Sequence, residues 1–211
     1  MCQLVHLDPL GPDPQLIELA ASIIRGGGVV CHPTDNVYGL SCSPFDDVAL
    51  ERVFSIKGRG RNKGVLVLVP TVDWVQRLAS SIPPGFSRLS DQLLPGPVTF
   101  LLPANDGLPS LIRGEKELVG VRRPDHAFLL RWMENIPGPL VSTSANLSGR
   151  PPAKSVDELR QWIAPQVDLF IEATDLGESL PSTVLDLSIE PPQIVRAGVM
   201  SEQVSKVIGG Q

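Results

Sequence analysis

The sequence is poor in the residues that build metal centres and disulfide frameworks. Its 211 residues include three cysteines and three histidines, and the cysteines, at positions 2, 31 and 42, form no CxxC pair. No zinc-binding spacing can therefore be assembled from these residues. Unpaired cysteines in such small number are typical of a reducing compartment, so we expect a cytoplasmic protein with reduced thiols.

Long apolar runs and aromatic residues are also scarce. The N-terminus, MCQLVHLDPLGPDPQ, has no basic start followed by an apolar stretch, so we expect no signal peptide. The longest apolar runs, such as Val65–Val69, have the length of a strand and predict no membrane span. A net charge of −5 argues against a uniformly basic nucleic-acid coat.

The common nucleotide and nucleophile motifs are missing as well. No GxxxxGK[ST] loop occurs, no GxGxxG follows a strand, and no GxSxG elbow surrounds Ser142 or Ser144. These absences argue against a Walker-type ATPase, a Rossmann dinucleotide site and a serine hydrolase.

Glycine and proline, with 19 and 21 residues, are abundant and indicate tight loops between short elements. Asp13-Pro14 predicts a helix start, with apolar residues at helical spacing until Gly26. Asp46 predicts the N-cap of a second helix that runs into Lys57. The segment HPTDNVYGL (32–40), rich in turn-forming residues, predicts a loop.

The rest of the chain alternates between strand-like and helix-like segments. The predicted strands are Val29–Cys31, Val65–Val69, Val98–Leu102, Leu118–Val121, Leu140–Val141 and Val184–Leu187, and the further helices are Phe128–Asn135 and Val156–Ile163. This alternation predicts one α/β domain over residues 1–211, with a twisted, open, mixed sheet and helices on both faces.

Charge is distributed unevenly along the chain. Residues 52–71 contain five basic residues and no acidic one, so the remaining positions sum to −10. In IKGRGRNKG (56–64) the basic residues alternate with Gly and Asn, which lets the backbone bend around an anion; a solvated flexible loop is the equally weighted alternative. Five cations in a short loop suit the few phosphates of a nucleoside triphosphate better than a duplex.

Polar segments follow two of the predicted strands. HPTDN follows Val29–Cys31, and STSANLSG follows Leu140–Val141. Ligands of open α/β sheets bind at strand ends. We therefore expect the two polar loops to share one cleft with the basic loop.

Seven ordered motifs resemble those of the YrdC-like threonylcarbamoyl-AMP synthases and cover nearly the whole chain. They are HPTDNVYGL (32–40), IKGRGRNKGVLVLV (56–69), PGPVTFLLPA (95–104), VGVRRPDH (119–126), VSTSANLSGRPP (141–152), PSTVLDL (181–187) and IVRAG (194–198). The resemblance implies a YrdC-like α/β fold with a basic concave face. It also implies synthesis of threonylcarbamoyl-AMP and pyrophosphate from L-threonine, bicarbonate and ATP, for the threonylcarbamoyl modification of adenosine 37 in tRNA.

The resemblance also implies roles for individual residues. Lys57 and Arg59 are the implied catalytic cations; the implied threonine-binding residues are Thr34, Arg122 and Ser142; the implied ATP-binding residues are Lys57, Arg59, Lys63, Ser144, Asn146, Ser182 and Arg196. Tyr38 is expected to shape the threonine pocket, and Arg123 to point to the other face of the sheet. Mg²⁺ is expected to be carried by ATP, with no metal site built by the protein.

Three departures from the family pattern stand out. Gly60 replaces a proline of many relatives and predicts a looser loop before ligand binds, and Leu68 stands where some longer relatives have a histidine near threonine. The chain ends at Gln211, soon after IVRAG, so we expect the short form without the C-terminal domain of longer relatives. The expected partners are the small substrates ATP, L-threonine and bicarbonate and downstream tRNA-threonylcarbamoyl transfer proteins, with weak binding of tRNA left open and no membrane expected.

Two other functions stay open at this stage. One is an RNA-binding protein of the same fold in tRNA or rRNA maturation, although RRM aromatics and a KH-type GXXG are missing. The other is carbamoyl chemistry on a different substrate, as in larger enzymes with a YrdC-like domain. Those enzymes carry zinc-finger and acylphosphatase-like regions, and this chain has neither CxxC pairs nor spare length for them.

We predict that Lys57→Ala and Arg59→Ala each lose most of the activity while staying folded, because cations of a loop contribute to the site and not to the core. Pyrophosphate release and circular dichroism of both variants check this. Unfolding of both variants would mean that the basic loop is structural.

Overall fold

The computed structural model describes residues 2–8, 11, 13–151, 153, 155–173 and 180–209. Its strands are β1 (Gln3–His6), β2 (Val30–His32), β3 (Gly39–Cys42), β4 (Leu66–Leu68), β5 (Val98–Pro103), β6 (Leu118–Arg122), β7 (Leu140–Ser144), β8 (Leu169–Glu172), β9 (Thr183–Asp186) and β10 (Gln193–Arg196). Its helices are α1 (Pro14–Arg25), α2 (Asp47–Lys57), α3 (Val75–Leu78), α4 (Phe86–Leu93), α5 (Ser110–Arg113), α6 (Ala127–Glu134), α7 (Val156–Ile163) and α8 (Ser201–Gly209). Short 3-10 turns lie at Val72–Trp74 and Ala164–Gln166. Within these ranges, no helix combines the length and apolar character needed to cross a membrane.

The strands form one sheet in the order β1-β8-β2-β3-β7-β4-β6-β5-β9-β10. Parallel pairs join β8 to both β1 and β2, β4 to β6, and β5 to β9; the other neighbouring strands are antiparallel. The predicted mixed sheet with helices on both faces is therefore confirmed.

The two faces of the sheet are covered differently. Successive strand residues alternate between faces, so Val67 joins the larger core cluster and Leu68 the smaller one. The larger cluster packs residues of α2, α3, α4, α5, α7 and α8 against one face. The smaller cluster packs α1 and α6 against the opposite face, where it includes residues of β2, β4, β7 and β8. The remainder of that second face is left for a cleft.

Local signals place the two longest helices where the sequence predicts them. The Asp13 carboxylate accepts a hydrogen bond from the Gln15 amide at 2.9 Å, and the Asp46 carboxylate accepts one from the Ala49 amide at 2.9 Å. Gly58 ends α2 in the left-handed conformation, at a φ of 55°. Both predicted N-caps are confirmed.

Two strand predictions need correction. Residues 39–42, of which 39 and 40 were predicted as loop, form β3, which is paired on both sides by β2 and β7. Strand β7 continues beyond Val141 to Ser144, so Ser142 and Ser144 lie within the strand and not after it. Pairing with neighbouring strands outweighs the weak strand propensity of glycine and serine at these positions. Strands β1, β8 and β10 are also not predicted from the sequence.

Candidate functional site

A cleft of about 470 Å³ lies on the partly covered face of the sheet. Its floor consists of side chains and glycines from β3, β4, β5, β6, β7 and β9, and its rim includes the basic loop and the 112–118 segment. This volume is in the range of small-molecule and cofactor sites.

Most of the predicted site residues meet in this cleft. Those that line it are Thr34, Tyr38, Arg59, Lys63, Arg122, Ser142, Ser144, Ser182 and Arg196. Lys57 and Asn146 are not among its lining residues. The predicted convergence of the two polar segments and the basic loop is thus seen in the structure, with these two residues behind the wall.

Strand pairing brings the HPTDNVYGL and VSTSANLSGRPP motifs together. Antiparallel β3 and β7 pair Gly39 with Ser144 and Ser41 with Ser142. A Cβ on Gly39 would lie 3.1 Å from the Ser142 Oγ and 3.2 Å from the His32 ring. Glycine at position 39 therefore keeps the Ser142 hydroxyl accessible on the cleft floor.

Thr34 organises the turn that precedes β3. Its hydroxyl accepts hydrogen bonds from the amides of Asn36 and Val37, both at 3.2 Å, and is also 2.9 Å from the Asn36 Oδ1. The Thr34 hydroxyl thus holds the turn shape while its side chain lines the cleft.

Arg122, the last residue of β6, is almost completely buried, with 4% of its surface exposed. It forms an ion pair with Asp35, and its Nη1 donates to the Asn36 Oδ1 at 3.2 Å. Its Nε donates to the Gly96 carbonyl at 3.1 Å. The next residue, Arg123, donates to the Pro70 carbonyl at 3.0 Å and does not line the cleft.

Arg196 and Ser182 form a second polar group in the cleft. The Arg196 guanidinium donates to the Ser182 carbonyl at 3.0 and 3.1 Å and to its hydroxyl at 2.8 Å. The same hydroxyl lies 3.0 Å from the Thr99 Oγ1. Backbone and hydroxyl oxygens of Ser182 therefore orient this arginine.

The basic loop is attached to the segment after α5. Arg59 donates to the carbonyls of Lys63 and Gly64, and the Val65 amide donates to the Ile112 carbonyl at 3.3 Å. Gly64 and Gly114 pack backbone against backbone, since a Cβ on Gly114 would lie 2.4 Å from the Gly64 nitrogen. The looser loop expected from Gly60 remains a prediction.

The position of Lys57 differs from the expectation that this residue is a cation of the basic loop. It is the last residue of α2, is only 2% exposed, and donates to the carbonyls of Ser144 and Asn146, the latter at 2.8 Å. A third contact reaches the Asn146 Oδ1 at 3.3 Å. Burial, followed by the charge of Arg59, lowers the pKa of Lys57 to about 8. Lys57 is therefore a helix residue and not a cation of the loop. Its ammonium group holds the backbone at the end of β7 from behind the cleft wall.

Asn146 completes the same attachment. Its Oδ1 is 2.5 Å from the Ser144 hydroxyl, and its Nδ2 donates to the carbonyls of Leu147 and Arg150. The Ser148 amide donates back to the Lys57 carbonyl at 2.8 Å. Lys57 and Asn146 together fix the position of Ser144 in the cleft wall.

Tyr38 and Leu68 have packing roles. The Tyr38 ring stacks on Phe170 at 6.0 Å, and its hydroxyl accepts from the Ala173 amide at 2.7 Å. Burial raises the pKa of Tyr38 to about 12. Leu68 is buried in the smaller core cluster and does not line the cleft.

The electrostatic character of the cleft is positive. Its lining within the described chain includes six cations, Arg59, Lys63, Arg113, Lys116, Arg122 and Arg196, and one carboxylate, Glu115. Burial lowers the pKa of both Arg59 and Arg196, and the charges of Arg196 and Arg122, respectively, lower them further. Mutual repulsion of this kind is relieved by a bound anion, so the cleft is suited to phosphates and carboxylates.

Several lining residues are not predicted from the sequence. Thr99 and Gly120 lie between buried apolar residues of β5 and β6 and open onto the floor, and Lys116 lies on the rim. A polar or small residue within an apolar strand is the signal that marks Thr99 and Gly120. Lys116 has no comparable signal, because its position depends on the contact between two loops.

No group of three or more His, Cys, Asp or Glu residues in the described ranges is arranged to hold a metal ion. The carboxylate of Asp35, the one acidic residue of the HPTDN motif, forms an ion pair with Arg122. The donor set of the cleft is therefore one for anions.

Fold and site define a mixed α/β protein with a cationic cleft on the partly covered face of its sheet. A family model described as "Telomere recombination", that of Sua5, YciO and YrdC, matches residues 22–198. The chain belongs to this family, which confirms the resemblance seen in the motifs.

Two curated relatives share one name. The chain is 37% identical over 172 residues to "Threonylcarbamoyl-AMP synthase" of Nitrosococcus oceani, covering 81% of this chain and 92% of that protein. It is 33% identical over 194 residues to the synthase of Pyrococcus abyssi, covering 92% of this chain and 57% of that protein. The chain thus spans little more than half of the archaeal relative.

Solved structures agree with the sequence comparisons. P. abyssi Sua5 complexed with L-threonine has a TM-score of 0.91 at 31% identity, covering 98% of this chain and 61% of that one. Escherichia coli YciO has a TM-score of 0.86 at 30% identity, covering 94% and 97%. The fold is therefore shared with both long and short members.

Lys57→Ala is predicted to lower the free energy of unfolding by about 3 kcal/mol, because it leaves a cavity and two carbonyls without a donor. Arg59→Ala, in the half-buried loop, is predicted to cost about 1 kcal/mol or less. Urea unfolding at pH 7 measures both, with the exposed Arg61→Ala as the control. A Lys57→Ala variant as stable as the wild type would contradict the structural role given to this lysine.

Proposed function

We propose that this chain is an L-threonylcarbamoyladenylate synthase, which forms threonylcarbamoyl-AMP and pyrophosphate from L-threonine, bicarbonate and ATP. The observation that carries the proposal is the cleft in which six cations, the serines Ser142 and Ser144 of β7, and Ser182 just before β9 face one space. The relatives named "Threonylcarbamoyl-AMP synthase", at 33% to 37% identity, support it.

The reaction needs no protein nucleophile. The threonine amine attacks the carbon of bicarbonate, water leaves, and a carbamate forms. A carbamate oxygen then attacks the α-phosphorus of ATP, and the bond from this phosphorus to the β-phosphate bridging oxygen breaks to release pyrophosphate. The protein's task is to hold two anions together and to stabilise charge on the phosphates.

The geometry supports a division of roles in the cleft. Thr34, Arg122 and Ser142 are proposed to bind threonine, with Arg122 facing its carboxylate. The proposed ATP-binding residues that line the cleft are Arg59, Lys63, Ser144, Ser182 and Arg196. Arg59 is the proposed catalytic cation on the phosphates.

The residues behind the wall act differently under this proposal. Lys57 and Asn146 contribute by fixing Ser144, since the ammonium of Lys57 is engaged by backbone carbonyls. A direct contact of either residue with ATP would require these hydrogen bonds to be exchanged. Their role in the reaction is therefore one of positioning.

Mg²⁺ is proposed to enter with ATP, whose phosphate oxygens are the ligands that it prefers. When bound, it neutralises part of the triphosphate charge. The cationic lining of the cleft neutralises the rest and orients the α-phosphate for attack.

The proposed product, threonylcarbamoyl-AMP, indicates which proteins act downstream and in which compartment. We assign threonylcarbamoyl-AMP to the modification of tRNA adenosine 37, so transfer proteins that accept the adenylate are the proposed downstream partners. The protein is proposed to act in the cytoplasm. Buried Cys31 and Cys42, both free thiols, fit a reducing compartment.

Purified protein with L-threonine, bicarbonate, ATP and Mg²⁺ is predicted to release pyrophosphate and to form the adenylate. Omission of threonine controls for ATP hydrolysis. Pyrophosphate release that does not depend on threonine would contradict the proposed function.

Direct tRNA binding is a separate function that the exposed cations of the cleft, Lys63 and Lys116, make testable. Gel shifts with tRNA at graded salt measure it, since phosphate contacts weaken steeply as salt rises. Salt-sensitive tRNA binding without adenylate formation would favour the RNA-binding alternative over the synthase.

A further inference from the structure

Asp35 and Arg122 form a buried ion pair at one end of the cleft. Their side chains are 9% and 5% exposed, and the Asp35 Oδ1 accepts from the Arg122 Nη2. The other carboxylate oxygen, Oδ2, accepts from the Asp125 amide at 3.2 Å. Asp35 is thus held from two sides, and only one of its oxygens serves the arginine.

The three nitrogens of the Arg122 guanidinium each donate one hydrogen bond to the protein. Its Nε bonds the Gly96 carbonyl, its Nη1 bonds Asn36, and its Nη2 bonds Asp35. A guanidinium has five N–H donors, so one N–H on each terminal nitrogen is left over. Arg122 lines the cleft, so these two donors are available to a planar anion such as a carboxylate that enters it.

The charge of Asp35 also matters for the neighbouring cations. Burial and then the charge of Arg122 lower the pKa of Arg196, and burial and then the charge of Arg196 lower the pKa of Arg59. Among the described residues, Arg122 is the only one of these three arginines with a carboxylate partner. Asp35 therefore balances the charge of a buried arginine that lies near Arg196.

We propose that Asp35 is the positioning residue of the threonine site, which fixes the Arg122 guanidinium so that its two remaining N–H donors face the substrate carboxylate. This inference rests on the proposed function and assigns Asp35 a role through Arg122, without contact between Asp35 and substrate. It also gives the aspartate of the HPTDN motif a purpose other than metal binding.

Only a carboxylate can hold both contacts of Asp35. Each oxygen accepts one hydrogen bond, from Arg122 and from the Asp125 amide. Asparagine has one oxygen and one NH₂, so one of the two donors would then face another donor. Asp35→Asn therefore preserves size and removes the positioning.

The test is calorimetric titration of L-threonine into protein saturated with α,β-methylene-ATP, which does not undergo the reaction. Asp35→Asn is predicted to weaken threonine binding at least tenfold and to change the affinity for the nucleotide analogue less than threefold. The matched control, Asp73→Asn, changes an exposed aspartate outside the cleft and is predicted to leave both affinities unchanged.

A second comparison asks whether Asp35 acts through Arg122. Threonine binding of Arg122→Gln is predicted to be as weak as that of the double variant Asp35→Asn with Arg122→Gln, since removal of the arginine leaves nothing to position. If Asp35 affected threonine binding by a route other than Arg122, the double variant would bind threonine more weakly than Arg122→Gln, and this outcome can be measured even where Asp35→Asn does not fold.

Three results would overturn the inference. The inference is wrong if Asp35→Asn binds threonine with wild-type affinity. It is also wrong if the double variant binds threonine more weakly than Arg122→Gln. Equal weakening of both ligands in folded Asp35→Asn would show a general structural role instead. Absence of threonine binding to the wild-type protein would contradict the proposed function itself.

Discussion

The incomplete covering of one sheet face is the constraint on which the rest of the structure depends. Helices α1 and α6 pack on the part of this face that includes Leu68 and Leu140. Where they end, the same face presents Ser142, Gly120 and Thr99 to a cleft. The opposite face is packed by six helices. Core and site are thus built from alternate residues of the same strands, which makes the floor of the cleft rigid.

The cleft concentrates cations that are oriented mainly by oxygen atoms of the backbone. Arg59 is bound by carbonyls of its own loop, and Arg196 by the carbonyl and hydroxyl of Ser182. Carbonyls orient a cation without cancelling its charge, so these groups keep most of their attraction for an anion. Arg122 differs, because a carboxylate both orients and balances it. Catalysis by placed charge, with no protein nucleophile, is the chemistry that such a cleft supports.

Much of the fold could be predicted, because its signals are local, whereas most of the cleft residues were identified through the resemblance of the motifs. The caps at Asp13 and Asp46 and the apolar runs of β4 and β5 lie within a few residues of the elements they define. β3 could not be predicted in full, since a strand that begins with glycine exists only through pairing with two neighbours. The burial of Lys57 and the bond between Asp35 and Arg122 were also missed. These contacts join residues 87 or more positions apart, and no local pattern encodes them.

The central claim is that one cleft holds the nucleotide and threonine side by side. A crystal structure of the protein with α,β-methylene-ATP and L-threonine tests it most directly. The account predicts both ligands in the cleft, with the phosphates near Arg59 and Arg196, the threonine carboxylate on Arg122, and the amine directed towards the α-phosphate. A nucleotide bound outside the cleft, or threonine bound away from Arg122, would contradict it.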